Sequence, residues 1–281
     1  MDFMYLLGSI VAESTGKTID RFNFRRNKID ARQSLMICFA VMTLTVLTYV
    51  LVRKESFPHL SLVVMEILLG IAVFSFAGNV FDELSCQVND LSLREPLVDF
   101  EPIATGLIAY ALFPSERKPA FLIAFILGAF IVRWGIHRRK LRKSQSKGMF
   151  YLWLAVILYA IVPVFYKEAL YHLPPTYIAL FRLSSVFVLL CLFFRPKPRK
   201  KLTSSMAVYA VFAGIVYAVG AVVSLYAIKS YGLVFTMLFL MLGPALRYLA
   251  GQFILHEKVR RGEVLSSLML TLVVAVAAFV R

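Results

Sequence analysis

Apolar residues fall in long runs separated by short polar stretches, and the runs have the length of a membrane helix. About 20 helical residues cross a hydrocarbon layer of about 30 Å. Runs of that kind occupy 3–22, 29–52, 59–81, 91–113, 119–136, 150–171, 176–194, 206–228, 233–255 and 263–280. The pattern predicts an all-α integral membrane protein with about ten transmembrane helices, since a helix satisfies its own backbone hydrogen bonds in lipid. The first and fourth runs differ from the others in carrying several charges. The strongest polar break, "HRRKLRKSQSKG" at 137–148, lies almost centrally and reads as a basic linker between two sets of five spans.

Polar landmarks recur in the two halves. Lys17 precedes Arg32 by 15 residues, as Lys167 precedes Arg182; Gly78 precedes Pro102 by 24, as Gly220 precedes Pro244. Glu116 follows Pro102 by 14 residues and Glu257 follows Pro244 by 13. The Arg-to-Gly distances, 46 and 38, differ by eight, which assigns the first half a longer connection between its second and third spans. The recurrence predicts a first five-helix repeat at 1–136, the linker, and a second repeat at 149–281. An odd number of spans per repeat makes the second enter the membrane from the opposite side, which is inverted topology.

Composition agrees with a membrane protein: of 281 residues 60% are hydrophobic, and the mean hydropathy is +0.76. Cys38, Cys86 and Cys191 show no paired spacing, so neither a disulfide framework nor a metal site is expected. The net charge of +15 sits in short blocks between apolar runs, as loops that orient membrane helices do, rather than on a nucleic-acid face. Within ten spans, one set of loops holds 17 Lys and Arg and the opposite set 6. This count places the linker in the cytoplasm and both termini outside. The N-terminus "MDFMYLLGSIVAES" lacks a basic n-region, so no cleavable signal peptide is expected.

A Pro in each fourth span followed by a loop Glu, "EPIATGLIAYALFPSER" and "GPALRYLAGQFILHEK", resembles the drug/metabolite transporter superfamily, its EamA-like branch in particular. From "FYLWLAVILYAIVPVFYKEAL" to the C-terminus the second half resembles one EamA repeat throughout, whereas the first half carries more charge. The resemblance implies ten helices around a central cavity and alternating access, with cytoplasmic termini as the usual orientation, opposite to the charge count. It also makes Glu116 and Glu257 the family's loop glutamate, read here as a charge at a helix N-terminus.

Charges inside spans are costly and usually face a protein interior or a water-filled cavity. Glu13, Lys17 and Asp20 fall on one helical face of the first span. In the fourth, Glu95, Asp99 and Pro102 share a face, with Arg94 and Glu101 on the adjacent stripe. The second half offers Lys167, Glu168, Arg182 and, after Gly243-Pro244, Arg247; with Arg32 these residues are the candidate substrate path. Pro244 is expected to remove a donor and free a carbonyl within its span. Arg21, Arg25, Arg26 and Lys28 read as interfacial cations, and Trp134, Trp153 and the tyrosines near span ends as interfacial anchors. Asp82 and Glu83 either end the third helix or face the cavity, and Glu66 either pairs structurally or lines it.

No catalytic cluster is legible. His59, His137, His172 and His256 lie in or near different loops without metal-ligand spacing, and there is no GxxxxGK[ST] loop. The sequence therefore points to a secondary transporter of a small polar or anionic organic metabolite, with no cofactor or metal. A proton or ion gradient and the membrane lipid are the expected partners. The alternative is a flippase for a lipid-linked or phosphate-bearing amphiphile, and the expected location is a prokaryotic cytoplasmic membrane. Cavity cations would suit a phosphate or carboxylate in either case.

Overall fold

The computed structural model describes residues 3–24, 29, 31–58, 60–86, 97–98, 100–137, 146–193, 203–247 and 261–279, and no strand occurs among them. The principal helices are α1 (Phe3–Phe22), α2 (Ala31–Arg53), α3 (Leu62–Cys86), α4 (Glu101–Leu112), α5 (Pro119–His137), α6 (Ser146–Ala169), α7 (Pro175–Phe193), α8 (Ser204–Tyr231), α9 (Leu233–Leu240) and α10 (Arg261–Phe279). They stand where the apolar runs predict helices. Five described stretches, Arg32–Arg53, Leu62–Ser85, Lys147–Ala169, Pro175–Phe193 and Ser204–Tyr231, are long and apolar enough to cross a membrane. α3 continues through Asp82 and Glu83 to Cys86, so these acids lie inside the helix rather than beyond it, with Glu83 buried.

One sequence expectation is corrected. α2 ends at Arg53 and α3 begins at Leu62, while α7 ends at Phe193 and α8 begins at Ser204. The first half therefore has no longer connection at this point. Arg32 is the second residue of α2 and Arg182 the eighth of α7, so their matched spacing to Lys17 and Lys167 does not make them equivalent positions. A single step of 142 residues instead relates Gly78 to Gly220, Pro102 to Pro244, Pro119 to Arg261 and His137 to Phe279.

The chain forms two compact units, each drawing on both halves of the sequence: unit 1 is Met1–Phe76 with Phe165–Lys229, and unit 2 is Ala77–Val164 with Ser230–Arg281. In unit 1, α8 packs on α1 and α2 through small residues. A Cβ on Gly214 would stand 2.9 Å from Val41 Cβ, and one on Gly220 3.2 Å from Ala12 Cβ. Such contacts let backbones approach where lipid supplies no hydrophobic drive for helix association. Tyr5 stacks on Tyr226 and Phe22 meets Tyr209, so α1 and α8 run antiparallel. Polar groups add specific ties: Asn23 Nδ2 donates to the Met206 carbonyl over 3.1 Å and Cys38 Sγ to that of Ala210 over 3.3 Å. The hydroxyls of Ser9 and Thr18 return to carbonyls of their own helix, so they are buried without needing an outside partner. The most extensive packing in this unit joins α2 to α7. The connection after α2 is tied to the start of α7, where Thr176 Oγ1 donates to Glu55 Oε2 and Tyr177 Oη to the Glu55 carbonyl.

In unit 2, α4 packs on α9 and α5 on α10. A Cβ on Gly106 would run into the ring of Phe125, and one on Gly128 would displace the terminal methyl of Met241. Between α4 and α5 lies a 3-10 turn, Pro114–Glu116. Glu116 accepts from Leu233 N at 3.2 Å and Val234 N at 2.7 Å, which caps the N-terminus of α9 with a carboxylate, as expected from the sequence. The neighbouring Arg117 donates to the carbonyls of Tyr110 and Ala111 at the C-terminal end of α4. Adjacent opposite charges thus meet helix ends of opposite polarity. Glu257 lies outside the described residues.

Candidate substrate path

Within unit 1, the sequence-predicted face of α1 is realised. Lys17 Nζ pairs with Glu13 Oε1 one turn away, and both side chains keep about a third of their surface exposed (29% and 34%). One turn further, Asp20 accepts from Tyr217 Oη of α8 over 2.8 Å. The Tyr217 ring lies directly over Gly16: a Cβ there would come within 2.5 Å of it. Gly16 therefore makes the space that lets the ring reach Asp20. In the sequence only tyrosines near span ends stand out, and Tyr217 is passed over. Its signal was its place at mid-span, between Gly214 and Gly220, where an anchoring role has no interface to serve.

Lys167 and Glu168 end α6 differently. Lys167 is buried, whereas Glu168 is exposed, because neighbours on a helix point about 100° apart. Arg32 is half-buried in the first turn of α2. Arg182 lies on the inward stripe of α7, among the buried Ile178, Ala179, Leu183 and Val186. Its guanidinium stands over the Tyr166 ring, 5.6 Å from the centroid, and among the described residues it meets no carboxylate. Its Nε is shut off from solvent without a hydrogen-bond acceptor. A charge at mid-span costs about 2.5–3.5 kcal/mol by insertion scales. A cation–π contact returns about 0.5–2 kcal/mol, so the ring offsets only part of that cost.

Within unit 2, a proline stands in the first turn of a helix in each fourth span. Residues 97–98 are helical, Phe100 is in a turn, and α4 opens at Glu101 with Pro102 in its first turn. α9 stops at Leu240, a turn covers 241–242, and helix resumes at 243–247 with Pro244 second. Pro244 thus falls in the first turn of the resumed helix, where its missing N–H would have had no partner, so the donor it was expected to remove is not lost. Pro102 does the same. Glu101 carries its charge at the favourable end of α4, half-buried. One turn on, Thr105 is fully buried and its Oγ1 lacks a partner among the described residues. Arg247 is buried on the resumed segment of the other fourth span. Arg94, Glu95 and Asp99 lie outside the described residues, as do Arg25, Arg26 and Lys28.

The structure therefore groups the predicted residues in two places. Glu13, Lys17 and Asp20 form one face in unit 1, which also holds Lys167 and Arg182, and Glu101 and Arg247 accompany the fourth spans of unit 2. No group of three or more His, Cys, Asp or Glu suited to a metal occurs among the described residues.

The model of the EamA-like transporter family matches residues 146–279. A solved crystal structure of a protein aligns over 99% of this chain and 96% of its own, at a TM-score of 0.79 and 15% identity, and so shares the fold. No curated protein matches the chain. With its long apolar helices, the family match makes this a multi-pass integral membrane protein.

Proposed function

From residues 146–279, which place the chain in the EamA-like transporter family of the drug/metabolite transporter superfamily, we propose that it is a secondary transporter moving a small polar or anionic organic metabolite by alternating access. In this reading two inverted five-helix repeats enclose the path. The observation that carries it is the pair of helical segments that open with Pro102 and Pro244 in their first turns, 142 residues apart. Interrupted segments at corresponding positions of two halves are the best pointer to a transporter binding site, because irregular backbone inside a membrane is tolerated where it lines a cavity.

Packing supports the repeat. The closely packed pairs α2·α7, α4·α9 and α5·α10 each join helices of the same rank in the two halves. Gly220 of α8 meets α1 at Ala12, and its counterpart Gly78 of α3 meets α6 at Tyr159, which is the same helix pairing with the halves exchanged. A two-fold relation between repeats produces such a pattern. The driving force is a proton or ion gradient, since the sequence carries no phosphate-binding loop. The membrane is a prokaryotic cytoplasmic one, entered with the basic linker inside.

The test is flux into liposomes containing the purified protein alone, screened over organic anions and polar metabolites under an imposed gradient. Uptake without nucleotide is expected; strict dependence on ATP in that one-component system sinks the reading.

A further inference from the structure

We propose that Arg182, laid on the ring of Tyr166, is the subsite that takes the oxyanion, phosphate or carboxylate, of the transported molecule. The assignment deepens the transporter reading and rests on it. Guanidinium donors radiate in the plane of the group, so a tyrosine against its face leaves the edge free while fixing its orientation. That edge offers Nε with a terminal nitrogen as a two-pronged donor, the geometry that phosphate and carboxylate accept in parallel. In Arg182 the prong at Nε is buried and has no acceptor. Buried donors in folded proteins are almost always satisfied, so an acceptor remains to be supplied.

Two other cations of the fold, Lys17 and Arg117, have oxygen partners. Lys17 has the carboxylate of Glu13, and Arg117 has the carbonyls of Tyr110 and Ala111. Arg182 has an aromatic face, and its buried Nε has no acceptor. It is half-buried on the inward stripe of α7, beside residues with 0–1% exposure, and starts at the eighth of 19 helical residues, away from either helix end. The same chemistry fits a soluble metabolite and a lipid phosphate, and the experiment separates them.

Purified full-length protein in phosphatidylcholine nanodiscs is titrated with inorganic phosphate at constant ionic strength, and in a second arm is placed in nanodiscs containing phosphatidic acid. Thermal unfolding is the readout, since a ligand of the folded state raises apparent stability. A rise with phosphate, absent in Arg182→Ala and Arg182→Gln when each is compared with its own ligand-free Tm, is the expected result. A rise in the lipid arm alone, also lost in both variants, keeps the subsite and assigns it to a headgroup. Arg182→Lys, which loses the fork, weakens the apparent affinity by about ten-fold or more. Tyr166→Phe preserves it. A shift that persists in the neutral variants, or no shift in either arm, overturns the proposal. If the neutral variants do not fold, unchanged affinity in Arg182→Lys overturns it and weakened affinity supports it. Nucleotide-free flux of neutral or cationic solutes alone, indifferent to Arg182→Ala, removes the subsite and leaves the transporter. Arg182-dependent phosphate binding without flux of any anion leaves the subsite and removes the transporter.

Discussion

Tyr217 and Asp20 are joined by a 2.8 Å hydrogen bond that bridges α8 and α1, with the tyrosine ring resting on Gly16. The contact has two parts that fail differently. Tyr217→Phe keeps the ring and removes the hydroxyl that donates to Asp20 Oδ2, a loss of about 1 kcal/mol by measured hydrogen-bond couplings inside membranes. Gly16→Ala forces the ring away, which adds overpacking of about 1–3 kcal/mol to the same lost bond. Thermal unfolding in mild detergent should rank Gly16→Ala as the more damaging. The reverse order means the ring does not lie on Gly16.

The cap on α9 gives a sharper test, because its two partners restrict each other. Gly232 has φ +84°, and a Cβ there would stand 2.6 Å from Glu116 Oε1. Gly232→Ala therefore meets both left-handed strain, about 1–2 kcal/mol, and the capping carboxylate. Glu116→Ala removes the cap at a cost of about 0.5–2 kcal/mol. The double variant should cost less than the sum of the singles, since Gly232→Ala already displaces the carboxylate that Glu116→Ala deletes. Additivity in denaturation midpoints argues that Glu116 is not at the cap.

Glu13 and Lys17 separate structure from transport. Their pair is partly exposed, and exposed pairs contribute about 0–1 kcal/mol. Glu13→Gln and Lys17→Ala should leave folded yield and Tm near those of the parent while flux falls at least several-fold. The swapped variant, Glu13→Lys with Lys17→Glu, restores the pair but reverses its polarity along the path. Full recovery of flux by the swap identifies a purely structural pair.

Topology is set by charge and is open to labelling. In a background without the three native cysteines, Gln145→Cys should react only with reagents that enter the cytoplasm, and Arg281→Cys with impermeant reagent from outside. An external position 145 with a cytoplasmic position 281 restores the family's usual orientation and refutes the loop count.

What the sequence by itself determined was the set of elements. Apolar length marks helices because lipid demands internally satisfied backbone, and that demand is local to each segment. The same locality made the ionic face of α1 legible, since i and i+4 neighbours meet on any helix, whereas Glu116 read as a capping charge only through the family resemblance, and the helix it caps begins 117 residues on. Register between the halves was not local. Lys17 and Lys167 matched in spacing to Arg32 and Arg182, yet helix ends placed the two arginines at different depths, and only the 142-residue step survived. Partners depended on tertiary packing for a further reason. A tyrosine's role follows from what lies beneath its ring and beyond its hydroxyl, so Tyr217 over Gly16 and Tyr166 beneath Arg182 became distinct from interfacial tyrosines only once α1 met α8 and α6 met α7. Pro102 and Pro244 show the division in one residue type. Sequence marked Pro244 as the loss of a backbone donor within its span, and the fold decided that both prolines stand in the first turn of a helix, where that donor would have had no partner.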